Sequence, residues 1–103
     1  MPDRRTVKVA IDYGYEWPLE EDEIETTPEA LDLSLELTQR LRTWLDFWDH
    51  HFHYEHGWDS PEHKAEWCRE GQTVSWDLRL EVAEIADVVL DIDWCGCGRN
   101  KRR

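Results

Sequence analysis

The chain lacks the segments by which proteins enter or cross a membrane. No apolar run approaches the roughly 20 residues that span a bilayer, and the N-terminus has no signal-peptide core. Cysteine is also scarce. The three cysteines are an odd number and suggest no disulfide framework, which favours a reducing compartment. We therefore predict a cytoplasmic protein that does not bind membranes.

Recognisable catalytic signatures are missing as well. The sequence contains no glycine-rich phosphate loop, nucleophile elbow or kinase signature. The HExxH pattern of helical zinc hydrolases and the C-x-x-C pattern of redox proteins are absent too. No catalytic residue can be assigned, and these absences favour a binding protein over an enzyme.

Basic residues are few in the body of the chain and collect at its ends. Residues 6–98 hold 23 aspartates and glutamates against six lysines and arginines, a net charge of −17, whereas the whole chain carries −12. Such a body repels nucleic-acid phosphate and anionic lipid, so we predict no direct nucleic-acid binding. It favours a basic protein partner. The alternative is a solvated acidic surface that only keeps the protein soluble.

The sequence is rich in tryptophan, with seven residues, and its apolar residues recur with clear periodicity. Apolar residues alternate over 6–13 and 87–94, which predicts two half-buried strands. Between them, helical 3, 4, 7 spacing predicts two amphipathic helices. The stripes are Leu37, Leu41, Trp44, Leu45, Trp48 and Phe52, then Trp67, Gly71, Val74, Leu78 and Val82.

Capping residues set the expected ends of these helices. Ser34 is placed as the N-cap of the first helix and Gly57 as the residue after its end. Ser60 and Pro61 then begin a second helix that ends near Ile85. A mid-helix glycine within the second stripe indicates a close approach between the helices.

The order predicts an α+β fold of β-α-α-β type, in which an antiparallel helical hairpin packs on a small antiparallel sheet. We expect a single domain over 1–103, with an ordered core at 6–94 and a flexible basic tail at 95–103. A two-stranded sheet is marginal alone. It therefore needs the helical layer, as in a monomer; the alternative is that its open edges pair with a second subunit, as a homodimer, or with another partner. A short third strand in loop 15–33 is a further alternative.

All five histidines lie between Asp46 and Trp67. We predict that one polar arc of the first helix, roughly 120° wide, holds Asp46, Asp49, His50, His53 and His56. Imidazole and carboxylate are ligands for zinc and other divalent transition metals, so Asp46, His50 and His53 form a candidate metal site. The alternative is a polar face whose histidines pair with carboxylates, with no cofactor.

The cysteines offer a second candidate metal site. Cys95 and Cys97 form a C-x-C pair, which Cys68 or a histidine would have to complete. Structural zinc sites usually have two such pairs, and here there is one. Cys68 on the second helix is otherwise predicted to be a small core residue.

Exposed aromatic residues beside carboxylates are typical of protein-binding surfaces. We predict that Tyr54 and Trp58 anchor a partner on the acidic face; the alternative for Trp58 is to pack the interhelical turn. The predicted partner-binding residues are Asp46, Asp49, His50, His53, Tyr54 and Trp58.

Several short motifs carry a resemblance. They are DYG at 12–14, WPL at 17–19, LSLEL at 33–37, LRTW at 41–44, and GWDS with a downstream W…EG over 57–71. In these motifs the chain resembles small acidic proteins of actinobacteria and their phages. The resemblance implies a source but no activity, and it transfers no catalytic residue.

The charge and the aromatic residues together favour a non-enzymatic protein-binding module. Its versions are an inhibitor of a basic enzyme, an immunity-type protein, or a phage protein that occupies a nucleic-acid-binding surface by charge mimicry. The alternative is a small metal-binding protein or metalloenzyme that uses the Asp/His face.

Overall fold

A computed structural model describes residues 5–11 and 14–91 of the chain. Two helices pack on one side of a small sheet, and a second, two-stranded sheet lies between the helices in sequence. The elements are β1 (Arg5–Val9), β2 (Leu19–Glu21), β3 (Ile24–Glu25), α1 (Leu35–His51), β4 (Phe52–His53), β5 (Gly57–Trp58), α2 (Pro61–Glu81) and β6 (Ala86–Leu90). The α+β fold class is confirmed. The predicted tail and the end of the second predicted strand lie outside the described residues.

The main sheet has the order β3-β2-β1-β6. The outer strands of the prediction, β1 and β6, pair in parallel with Val7 opposite Val88, so the predicted antiparallel pairing is wrong. The prediction assumed that the chain reverses at each of its three connections, which would leave the first and last strands antiparallel. The segment between β1 and α1 contains two further strands, β2 and β3, which extend the sheet in antiparallel fashion. Because two reversals return the chain to the direction of β1, the parallel pairing arises in the path from β3 through the two helices to β6.

The hairpin between β2 and β3 turns on two acidic residues. Asp22 and Glu23 have φ angles of 57° and 65°. Two consecutive positive φ angles are the backbone of a type I′ turn, which joins twisted antiparallel strands in two residues. The predicted hidden strand in loop 15–33 is therefore present, and it is accompanied by a second one.

Both helix starts are confirmed. The Ser34 hydroxyl accepts a hydrogen bond from the Leu37 amide at 3.2 Å, and the Ser60 hydroxyl accepts one from His63 at 3.1 Å, with Pro61 as the first residue of α2. The Glu81 carboxylate at the end of α2 accepts bonds from the Ser34 amide and hydroxyl. The helices are thus antiparallel, as predicted. Neither described helix has the length and apolar character needed to cross a membrane.

The core lies between the helix pair and the inner face of the sheet. Both predicted stripes point into it, and Trp44, Trp48 and Trp67 are each no more than 2% exposed. From the sheet come Val7, Val9, Leu19 and Val88. This packing leaves the C-terminal end of α1 and the β4–β5 hairpin beside it as the end of the molecule that carries the histidines.

Candidate functional site

The helix that was predicted to carry the polar arc ends earlier than expected. α1 stops at His51, and Phe52 is already extended, with φ −119° and ψ 136°. The Phe52 ring stacks on Trp48 at a centroid distance of 5.3 Å and meets Trp58 edge-on at 5.6 Å. These contacts favour the β4–β5 hairpin over another helical turn. Gly57, with φ 76°, belongs to that hairpin and does not cap the helix.

This early end divides the predicted site. Asp46, Asp49 and His50 lie in the last turns of α1, whereas His53 lies on β4 and Tyr54 follows it. The helical arc on which a metal site at Asp46, His50 and His53 depended is therefore absent. His50 Nδ1 lies 2.8 Å from the Asp46 backbone oxygen, not against its carboxylate.

The two carboxylates on α1 form an acidic pair. Partial burial, and secondly the charge of Asp46, raise the pKa of Asp49 above its usual value. Asp46 lies 3.6 Å from Arg42, one helical turn earlier, and both side chains are about half exposed. An exposed ion pair of this kind is screened and contributes little. The pair thus keeps much of its negative charge available to a cation in solvent.

The β4–β5 hairpin, which follows α1 directly in the chain, presents an exposed aromatic stack. Tyr54 is 70% exposed, and its ring stacks on His53 at 4.7 Å. His53 in turn stacks on His56 at 4.8 Å. We call Asp46, Asp49, His50, His53 and Tyr54 the α1-end surface.

The aromatic residues of this region have different roles. Trp58 is half-buried and packs on the core, with its ring 5.3 Å from that of Trp67. Trp58 therefore packs the interhelical turn, as the alternative predicted, and because it stays partly exposed its role as a partner anchor remains a prediction. Tyr54 remains the large exposed aromatic residue of the hairpin.

A second cluster was not predicted. His51 Nδ1 lies 2.7 Å from one carboxylate oxygen of Asp59, and His63 Nδ1 lies 2.7 Å from the other. The two imidazole rings are 3.9 Å apart with a tilt of 37°. We call His51, Asp59 and His63 the hinge cluster, because it joins the end of α1 to the start of α2.

The surroundings of the hinge cluster hold it in place. The Asp59 amide donates to the His51 carbonyl at 2.9 Å. The half-buried Phe47 ring packs against both imidazoles, at 4.5 Å from His51 and 5.6 Å from His63. Hydrogen bonds from the two histidines lower the pKa of Asp59. The i, i+4 spacing of Asp59 and His63 is a local signal for two of the three members of this cluster, whereas His51 is brought to them only by the hairpin.

Cys68 was predicted as one of the residues that complete a zinc site with Cys95 and Cys97. Cys68 on α2 packs against the core, as predicted for a small core residue, but it is disulfide-bonded and so is not a thiolate for zinc. Cys95 and Cys97 lie outside the described residues.

A groove of about 630 Å³ is lined by residues of both helices. Phe47, Trp44 and Trp67 supply its apolar part, and Glu36, Glu66 and Glu70 its acidic part. Arg40 pairs with Glu70 at 3.6 Å and also with Asp77, so the groove is partly neutralised from within. None of the predicted partner-binding residues lines it.

The chain was compared with curated proteins and with protein-family models. A search of curated proteins finds no match to the chain. A family model described as Serratia CdiI immunity protein-like matches residues 5–91, which span every described helix and strand. The chain therefore belongs to the Serratia CdiI immunity protein-like family.

Proposed function

We propose that this protein is an immunity-type inhibitor that binds a toxin protein, and that the toxin presents a basic surface to the α1-end surface. Family membership over residues 5–91 is the observation that carries the first part. An immunity protein protects by binding, which agrees with a sequence that lacks catalytic signatures. The family match does not test the actinobacterial or phage source or the cytoplasmic location, which stay predictions.

Charge supports a basic partner. The chain carries a net charge of −12, and Asp46 and Asp49 lie one helical turn apart on α1, with Asp46 half exposed and Asp49 exposed. Partial burial and mutual repulsion already disfavour ionisation of Asp49. A lysine or arginine of the toxin placed between these carboxylates would relieve that repulsion and form charge-assisted hydrogen bonds. The same field would accelerate the encounter and make binding sensitive to salt.

Tyr54 supports the same surface by supplying an anchor. Its ring is exposed, and it is stacked on His53. A tyrosine offers a large contact area with few rotatable bonds, and this is why tyrosines recur as anchors in interfaces. The carboxylates of the α1-end surface would orient the bound toxin, while the Tyr54 ring would contribute most of the apolar area buried in the interface. By this proposal the toxin's nucleic-acid-binding surface is the part that is covered, through charge mimicry.

The test is the affinity for the toxin of the double variant Asp46→Asn/Asp49→Asn. We expect it to bind roughly tenfold or more weakly at low salt, and the difference to shrink as salt is raised. The matched control is Glu29→Gln/Asp32→Asn, because both residues are exposed in the segment before α1 and the charge change is the same. Tyr54→Ala should weaken binding by about tenfold or more at any salt concentration.

Three outcomes separate the parts of the proposal. Equal losses in both double variants would mean that only net charge matters and that the α1-end surface is not the contact. Unchanged binding in all variants would place the contact elsewhere. A toxin that neither binds the protein nor is inhibited by it in growing cells would overturn the immunity function itself.

A further inference from the structure

The hinge cluster has a donor set that the proposed toxin binding does not use. We propose that His51, Asp59 and His63 bind one divalent transition metal ion, with zinc as the natural occupant, and that the ion joins the end of α1 to the start of α2. This site differs from the one expected from sequence at Asp46, His50 and His53. It depends on the β4–β5 hairpin, which brings His51 next to residues of the second helix.

The donor atoms suit this class of ion. Two imidazole nitrogens and one carboxylate are the ligand types that zinc accepts, and one ligand atom from each residue lies within 4.8 Å of the others. At metal–ligand distances of about 2.1 Å, neighbouring ligands of a tetrahedral ion are about 3.4 Å apart. The Nδ1–carboxylate distances of 2.7 Å would therefore lengthen by about 0.7 Å, which side-chain rotation can supply. Water would take the fourth position.

The ligands are also held before any ion arrives. The backbone amide of Asp59 donates a hydrogen bond to the His51 carbonyl, and the backbone amide of His63 donates one to the capping hydroxyl of Ser60. These bonds hold the backbone of both ligands. Phe47 packs against both rings and restricts their rotation. Binding would therefore cost little side-chain entropy.

A second group of possible ligands gives an internal comparison. His53, Glu55 and His56 also come within 4.8 Å of one another, but all three are exposed and all belong to the hairpin alone. A metal ion bound by that group would connect only residues of the hairpin and would not link the hairpin to another element. In the hinge cluster, by contrast, an ion would connect two helices, so its binding should raise the stability of the fold.

The test uses untagged protein purified without chelator and titrated with zinc, then with cobalt as a spectroscopic probe. We expect one equivalent of zinc to bind, a rise in Tm of about 5 °C or more at saturation, and the visible absorption of tetrahedral cobalt. His63→Ala should weaken zinc binding by about 100-fold or more and abolish the rise. The double variant His53→Ala/His56→Ala is the matched control and should keep both.

His63→Ala is a suitable variant because His63 lies in the first turn of α2, and circular dichroism will report whether the helices remain. Asp59→Asn is a second variant, which keeps the size of the side chain and removes the charge that an ion needs. Failure of the parent to bind one equivalent of zinc would overturn the proposal and leave a hydrogen-bonded pair of histidines on one carboxylate. Loss of zinc in the His53/His56 variant but not in His63→Ala would also overturn it. No toxin is involved, so the result is independent of the proposed function.

Discussion

Trp44 and Trp67 form a reciprocal pair that fixes the two helices against each other. Their rings stack 4.5 Å apart with an interplanar angle of 4°. The Trp44 indole nitrogen donates to the Trp67 carbonyl at 2.8 Å, and the Trp67 indole nitrogen donates to the Trp44 carbonyl at 3.2 Å. A buried indole N–H without an acceptor is costly. The pair satisfies both donors while burying both rings, so it specifies the register of α1 and α2.

Replacing Trp67 with phenylalanine should therefore destabilise the fold. The change keeps an aromatic ring but removes the bond to the Trp44 carbonyl and leaves a small cavity. We expect a loss of about 2 kcal/mol in the free energy of unfolding, measured by urea titration. Trp76→Phe is the matched control, because Trp76 is 57% exposed, and it should change stability by less than about 0.5 kcal/mol. Equal effects of the two substitutions would contradict the role of the pair.

The same pair explains the glycine in the middle of α2. A Cβ atom at Gly71 would lie 2.7 Å from Cζ2 of Trp44, a ring atom in a buried and stacked side chain. Gly71→Ala gains about 1 kcal/mol of helix propensity, but overpacking costs typically about 1–3 kcal/mol. We expect a net destabilisation on the order of 1 kcal/mol in urea titration, although propensity alone predicts the opposite sign.

A double-mutant cycle tests directly whether the contact between a Cβ at position 71 and the Trp44 ring causes the loss of stability. Phenylalanine lacks the Cζ2 atom of tryptophan, so in a Trp44→Phe background the Gly71→Ala change should become neutral or stabilising. Gln72→Ala, at the exposed neighbouring position, controls for propensity and should not depend on residue 44. The same penalty for Gly71→Ala in both backgrounds would show that the contact with Trp44 is not responsible.

The features that could be predicted from sequence are those that depend on neighbouring residues in the chain. Ser34, Ser60 and Pro61 begin their helices because capping needs only the next three residues. The buried stripes follow from helical spacing, and Gly71 indicated the close approach that Trp44 makes. These local signals were sufficient for the fold class and for the helical hairpin.

The features that were missed depend on contacts between distant parts of the chain. Phe52 continues the apolar stripe of α1, and only its contact with Trp58 across the hairpin shows why the helix ends before it. The turn at Asp22 and Glu23 lacks the Asn-Gly signal of a type I′ turn. His51 was missing from the candidate site because its partners, Asp59 and His63, become neighbours only when that hairpin forms.

A buried hydroxyl on α2 offers a route to greater stability. Ser75 is 5% exposed, and its Oγ has no hydrogen-bond partner among the described residues. An unsatisfied buried polar group costs about 1–3 kcal/mol. We expect Ser75→Ala to raise the urea midpoint, because alanine removes that cost and is also the better helix former. Thr73→Ala is the control, because the Thr73 hydroxyl is exposed and bonds to the Arg69 carbonyl. A lower midpoint for Ser75→Ala would contradict this assignment.

The paired side chains of Arg5 and Glu21 predict part of the response of stability to acid. Arg5 meets the carboxylate with two nitrogens, at 2.6 and 2.7 Å, and ties β1 to the end of β2. The hydrogen bond from Arg5 lowers the pKa of Glu21 in the folded protein. A lowered folded pKa contributes stability above the unfolded value of about 4.3, and that contribution is lost as pH falls through the folded pKa.

We therefore expect Glu21→Gln to lower the urea midpoint at pH 7 and to approach the parent as the pH falls through the folded pKa of Glu21. Glu84→Gln is the control, since Glu84 is exposed and the substitution removes the same charge. In a protein of net charge −12, removing a carboxylate that lacks a close cation relieves repulsion, so this control should leave the midpoint at pH 7 unchanged or slightly higher. The two variants thus differ in sign at neutral pH and converge in acid. Parallel behaviour across the whole pH range would mean that net charge, and not the Arg5–Glu21 pair, governs this part of the acid response.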